Sequence, residues 1–280
     1  GIAASEVSGL VSNFGTMTKP FHAGHAAKSG VLAASLAKLG FTADTSIFDG
    51  KDGVLATYAG TDGRPFAELL DHLAQPWETV KPGIGYKRWP CCYCNHRSID
   101  GLLQLISEQG LKPEEIEAID IGFPPGSDTA LISKDPRTGL QGKFSIEYVA
   151  AAPIYDGRIT LGTFTDAMVS RPEVRTLMQK VGRYRIDIPG TFSGAVGYND
   201  LTVKTTRGEF NMHIDRTPGS PACPITAADR DEKFLDCAGR VLGEKDARGL
   251  LDLLVHCRSL ADVRMLAQAT IPKETSSGVQ

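Results

Sequence analysis

The sequence predicts a mixed α and α+β fold, in which a helical domain is interrupted by a smaller α+β part. Three observations point to it. Up to about residue 73 the apolar residues recur at helical spacing. Between Ile119 and Ile214 four short stretches alternate apolar and polar residues, as strands do. From Thr226 onward the helical spacing returns. The divisions expected are 1–88 for the first part of the helical domain, 89–217 for the α+β part, and 218–280 for a helical return to the first domain.

Taken in order, residues 1–14 place Ile2, Val7, Leu10 and Val11 near helical spacing. Pro20 and Gly24 then mark a loop, and a helix resumes from His25 to Leu39, with Leu32, Leu36 and Leu39 on one face. Gly40 supplies a helix stop. Phe66, Leu69, Leu70 and Leu73 form another helical face after the turn residues Asp62 and Gly63. Ser98 to Gln109 is a helix whose face is Ile99, Leu102, Leu103 and Ile106, ending at Gly110. Ile119, Ile121 and Phe123 form a strand stopped by Pro124-Pro125-Gly126. A polar loop to Gly142 precedes a helix from Ser145 to Tyr155. Arg171 to Val181 is a helix with a capping box, Ser170 and Glu173, and Pro172 in its first turn. Tyr184, Ile186 and Ile188 alternate as a second strand. Leu201 and Val203 pair with Phe210, Met212 and Ile214 in a hairpin about Arg207-Gly208. Pro218 to Pro224 is a linker. Thr226 and Asp229 cap a helix with Phe234, Leu235, Ala238, Val241 and Leu242 on its face; Ser259 and Asp262 cap one more.

The bulk numbers remove several classes of function. Lys and Arg total 30 against 33 Asp and Glu, so there is no basic excess of the kind that nucleic-acid binding requires. No apolar run reaches the roughly 20 residues that cross a bilayer, and no signal peptide is visible. Six cysteines in 280 residues, three of them crowded together, do not form the pattern of a disulfide framework. A reducing, cytoplasmic compartment is expected. The chain starts at Gly1 inside a helix-like pattern, as a piece of something longer would.

The densest chemistry lies in KRWPCCYCNH, Lys87 to His96. Pro90 biases Trp89 toward an extended backbone, so Lys87 to Pro90 enters a turn that leads into the following helix. A helix N-terminus attracts anions and lowers thiol pKa values, and nearby cations suit a carboxylate ligand. Cys91 and Cys94 make a C-x-x-C, but Cys223, Cys237 and Cys257 supply no second pair at zinc-knuckle spacing, so no metal is expected.

Four segments together resemble the MmgE/PrpD family: MTKPFHAGHAAKSGVLAASLAKLGFTA with SIFDG after it, KRWPCCYCNHRSIDGLLQL, DPRTGLQGKFSIEYVAAAPIYDG, and GSPACPITAADRDEKFLDCA. They stand in the family's order and cover nearly the whole chain. The resemblance implies a helical domain with an α+β lid, a homodimer, and a cofactor-independent lyase or isomerase acting on a small polycarboxylate. 2-Methylcitrate dehydratase, cis-aconitate decarboxylase and iminodisuccinate epimerase belong to this family. Dehydration of the 2-methylcitrate type, as in propionate catabolism, is the expectation carried forward. Decarboxylation or epimerisation, or a non-catalytic fragment or dimerisation scaffold, are its alternatives, and a zinc- or redox-dependent binding protein is a more distant one. Family members extend further at the N-terminus, where more acidic and histidine site residues lie. An incomplete helical domain with surplus apolar surface is therefore expected.

By motif position the resemblance makes Lys19 and Lys87 carboxylate-binding lysines facing one pocket. Read from its own neighbours, Lys19 is a solvated loop lysine. His22, three residues after Lys19, is an acid/base candidate, while His25 simply opens the next helix. Cys92 stands where family members carry histidine or cysteine, and is either an acid/base or site-lining group or a small buried hydrophobe. His96, four residues later, would share a helical face with Cys92 if the turn were already helical, and would then support a thiolate. Lys143 and Ser145 approach the ligand from the lid, or else Ser145 only caps its helix.

Overall fold

A computed structural model describes residues 1–48, 50–58, 73–192 and 197–273. The helix expected over Phe66, Leu69 and Leu70, with its turn at Asp62-Gly63, lies outside the described residues. The chain divides into two units, Gly1–Ile84 and Gly85–Gln280.

The first unit is helical and is built on α1, Thr18–Lys38, followed by the short α2, Val54–Tyr58. The expected loop at Pro20 and Gly24 is instead helix. Pro20 sits in the first turn, where a missing N–H costs nothing because the first four have no intrahelical partner. Gly24 is carried in the interior at a cost of about 1 kcal/mol. The expected stop holds: Gly40 takes φ +85, and the Gly40 and Phe41 amides donate to the Ala37 and Leu36 carbonyls. Residues 1–14 form two short 3₁₀ turns, Ile2–Glu6 and Val11–Asn13, with Gly9 at φ +125 between them, so the helix expected there is broken. Only Ser29 and Ala33 of α1 are buried within the described structure. Phe21, Val31, Leu32 and Leu39 are exposed.

The second unit holds a four-stranded sheet: β1 Ile116–Phe123, β2 Val181–Arg185, β3 Asn199–Thr205 and β4 Gly208–Ile214, in the order β2-β1-β3-β4. β1 and β2 are parallel, which requires a crossover, and the remaining pairs are antiparallel. The expected hairpin is the β3–β4 pair. Inward-facing Ile119, Ile121, Leu201 and Val203 are buried, and α3, His96–Gln109, covers them with Ile99, Leu102 and Leu105. α3 approaches the sheet so closely at Gly101 that a Cβ there would stand 2.8 Å from Ile214 Cδ1.

The crossover contains α4 Gly139–Gly142, α5 Ile146–Asp156, α6 Asp166–Val169 and α7 Pro172–Met178. α5 is buried from Ile146 through Ile154. α7 is shorter than expected, and its capping box does not form. The Ser170 hydroxyl donates to the Asp166 carbonyl at 2.7 Å, closing α6, and Glu173 lies 3.8 Å from Arg171. Val181 accordingly begins β2, and Ile186 and Ile188 fall beyond its end. α8 Ala227–Leu242, capped by Thr226 as expected, α9 Glu244–Val255 and α10 Arg264–Ala269 complete the unit. Among the described residues no helix is long and apolar enough to cross a membrane.

Candidate active site

The Lys87–His96 segment bends at residues 88–91, where the Cys91 amide donates to the Trp89 carbonyl at 2.9 Å, is extended at Cys92 (φ −60, ψ 137), and then turns through Tyr93–Asn95 into α3. Hydrogen bonds fix it from two sides. The Cys92 amide and the Asn95 side-chain amide both donate to the Lys143 carbonyl, at 3.0 and 3.2 Å. The Lys87 ammonium donates to the Cys91 carbonyl at 3.3 Å, and the Lys233 ammonium donates to the Lys87 carbonyl. One residue on, Arg88 pairs with Asp229 at 2.6 Å and with Asp100 at 3.5 Å, and its guanidinium lies 4.6 Å from the centre of the Trp89 ring. Asp100 also accepts from the Trp89 indole at 2.9 Å and from the Thr217 hydroxyl. A carboxylate on α3 thus gathers Arg88, Trp89 and Thr217 and holds the backbone that presents Lys87.

The electrostatics follow from burial set against neighbouring charge. Lys87 and Lys143 both favour a Cys91 thiolate, but burial outweighs them and pushes that thiol up. Cys94 is pushed up first by its hydrogen bond with the Cys92 thiol and then by burial. Burial, aided by the Lys87 charge, pulls His96 down to about 3, so the imidazole is neutral near pH 7. The Cys91 and Trp89 carbonyls are near enough to favour its charged form, yet neither ring nitrogen closes a hydrogen bond. The Ser98 hydroxyl is buried without a partner as well. Burial also raises Asp100, opposed by its bonds to Thr217 and Trp89 and by Arg88.

The second unit therefore brings Lys87, Cys92, His96, Lys143 and Ser145 together. Lys87 and Lys143 both act on the buried Cys91 thiol, Cys92 beside it is half-buried, and the Lys143 ammonium lies 5.9 Å from the centre of the Phe164 ring. Ser145 is fully buried. Its hydroxyl accepts from the Tyr148 amide and donates to Glu147, each at 3.2 Å, so it is engaged in capping α5. Cys92 and His96 do not share a helical face, because α3 starts only at His96. The imidazole packs on Tyr93 at 4.8 Å, and the Cys92 sulfur meets Cys94. In the first unit Lys19 and His22 lie one turn apart on α1. The Lys19 ammonium sits 4.7 Å from the centre of the Phe14 ring, and Gly9 packs against the His22 imidazole, where a Cβ would come within 3.2 Å.

Asp100, Asn95 and Lys233 were not singled out from the sequence. Asp100 stands off the face of Ile99, Leu102, Leu103 and Ile106, on the same side as Gln104, where a carboxylate is ordinary. A groove of about 260 Å³ is walled by Arg88, Trp89, Leu103, Ile159, Lys233 and Cys237, adjoining the segment on its Arg88–Trp89 portion. Among the described residues no group of three or more His, Cys, Asp or Glu side chains converges as a metal-ligand set.

Comparison with known proteins places this geometry in context. Residues 89–256 match the MmgE/PrpD C-terminal domain and residues 1–67 the MmgE/PrpD N-terminal domain. The chain is 28% identical over 273 residues to cis-aconitate decarboxylase of Homo sapiens, an alignment covering 95% of this chain and 55% of that protein. It is 28% identical over 277 residues to cis-aconitate decarboxylase of Mus musculus, with the same coverage. Cis-aconitate decarboxylase of Aspergillus terreus is 24% identical over 287 residues, covering 96% of this chain and 58% of the relative. The chain spans about half the length of these curated relatives. With both domains of one family matched in order over most of its residues, the chain belongs to the MmgE/PrpD family.

Proposed function

We propose that the chain carries part of a lyase acting on a small di- or tricarboxylic acid by acid/base chemistry. The observation that supports this most is the pair of lysines, Lys87 and Lys143, whose charges both act on the buried Cys91 thiol, next to the half-buried Cys92 that leads into a 14-residue helix. Loss of carbon dioxide or of water from such an acid builds carbanion character beside a carboxylate that is already anionic. Cations held in place stabilise that charge, and a positioned proton carrier completes the exchange. Lys87 and Lys143 would hold carboxylates, and Cys92 would give or take the proton. His96, neutral and buried, would act behind them by holding Tyr93 and the turn. Lys19 and His22 would add a further cation and acid/base group, as the family motif implies. Ser145 would act through α5, by setting where Lys143 lies.

Between the two lyase reactions, the relatives favour decarboxylation of cis-aconitate over dehydration of 2-methylcitrate, since all three quoted above are named for the former. The protein is incubated in parallel with cis-aconitate, read by carbon dioxide release, and with 2-methylcitrate, read by growth of conjugated-alkene absorbance. Carbon dioxide release that falls at least about 100-fold in Lys87→Met supports the proposal. Turnover of either acid that is untouched by Lys87→Met and Lys143→Met would remove it.

A further inference from the structure

Cys94 is the cysteine of the trio that the proposed chemistry leaves unused. Its thiol is buried and hydrogen-bonded with that of Cys92, which is only half-buried. The Cα separation of two residues that flank a third depends on the backbone of the third alone, and Tyr93 is helical. Helical geometry sets that separation at about 5.4 Å, inside the roughly 4.4–6.8 Å that a disulfide spans. In a thiol pair sharing one hydrogen bond, the first thiolate is stabilised by the remaining S–H while the second proton is held firmly. Cys94 is the buried partner, and Cys92 is the more accessible of the two sulfurs. The amino end of α3 follows directly and adds positive potential. Cys91, the nearest competitor, is buried and its thiol is engaged with the Cys92 carbonyl at 3.6 Å.

We propose that Cys92 and Cys94 form a dithiol that hydroperoxides oxidise to an intramolecular disulfide, with Cys92 attacking and Cys94 resolving. The Cys92 thiolate attacks one oxygen of hydrogen peroxide and the O–O bond breaks. Hydroxide leaves and, with the thiol's proton, becomes water, so Cys92 is left as a sulfenic acid. The Cys94 sulfur then attacks the Cys92 sulfur and the S–O bond breaks. The leaving hydroxyl takes the Cys94 proton as a second water. Two thiols and one hydrogen peroxide give one disulfide and two waters, with sulfur oxidised and peroxide reduced. If Cys92 serves the proposed lyase, oxidation also withdraws its proton-carrying sulfur, so this consequence rests on that proposal while the disulfide itself does not.

The test treats the reduced protein with hydrogen peroxide, blocks remaining thiols with N-ethylmaleimide, and maps the tryptic peptide 89–97, which carries all three cysteines. The expected wild-type peptide is lighter by about 2 Da and carries a single maleimide, on Cys91, and dithiothreitol restores all three labelling sites. In Cys94→Ser and Cys94→Ala, checked for native circular dichroism, no disulfide forms and Cys92 is instead captured by dimedone as a sulfenic acid. Three maleimides on the wild-type peptide after treatment would overturn the proposal, as would a bond that includes Cys91. A disulfide that forms while lyase turnover is unchanged would count against Cys92 in the lyase and leave the dithiol standing.

Discussion

Changing His96 to Leu should flatten the acid side of the stability profile. The imidazole is fully buried, its nitrogens make no hydrogen bond, and burial holds its folded-state pKa at about 3 against an ordinary 6.5. Between those values the unfolded chain binds a proton that the folded chain refuses. Stability is therefore greatest above pH 6.5 and falls as the pH drops toward 3. The steepest slope one group can give is about 1.4 kcal/mol per pH unit. Between pH 6.5 and 4.5 the wild type should lose about 2.5 kcal/mol through His96, toward a ceiling of roughly 5 kcal/mol at lower pH. Urea unfolding followed by circular dichroism at pH 4.5, 5.5, 6.5 and 7.5 measures this. The quantity that matters is the difference in slope between wild type and His96→Leu, since other titrating groups contribute to both. At pH 7.5 the leucine should change stability by no more than about 2 kcal/mol, because the imidazole it replaces had no partner to lose. Parallel profiles for the two proteins would show that His96 reaches solvent or a hydrogen-bond acceptor when folded, and the account of its burial would fail.

Other outcomes follow from the proposed chemistry and from the packing. Lys19→Met and Lys87→Met should each lower kcat/KM on the accepted acid by ~10² or more, and an unchanged value for either would remove that lysine from the chemistry. Asp100→Ala strips Arg88, Trp89 and Thr217 of a shared partner and should cost about 3 kcal/mol in urea denaturation, with a shift in tryptophan emission. Gly139→Ala would put a Cβ 2.0 Å from the Phe164 carbonyl oxygen and should cost at least about 3 kcal/mol. Gly249→Ala, in α9 with open space around it, should instead stabilise by up to about 1 kcal/mol in the same assay.

Elements with a strong local signature were legible in the sequence. β1, the β3–β4 hairpin, α3, α5 and α8 each follow from periodicity bounded by glycine, proline or a capping hydroxyl. Misread elements are those where two local rules compete. Pro20 and Gly24 read as breakers, but a proline in a first turn breaks nothing. Ser170 had two possible partners, and the Asp166 carbonyl won over the amide of its own helix. Ile186 and Ile188 continue the alternation of β2 after its ladder with β1 has ended at Phe123–Arg185. The candidate site was legible where composition is unusual, at Lys87, Cys92 and His96. Asp100 and Lys233 were not, because their importance lies in partners 117 and 146 positions away, and no local pattern encodes a contact at that range.

α5 has a consequence for how the second unit moves. Its residues are buried from Ile146 to Ile154, with α3, α7 and β2 against it, and three consecutive alanines let those neighbours close in. Enclosed over those residues, the helix can fray only at its exposed carboxyl end, at Tyr155. The enclosed amide protons can exchange with solvent only when the elements around them part, so their exchange rates report opening of the whole unit. The Lys143 backbone that anchors Cys92 lies three residues before this helix. Lys143 and Cys92 are thus tied through their backbones to a part of the molecule that does not open piecemeal.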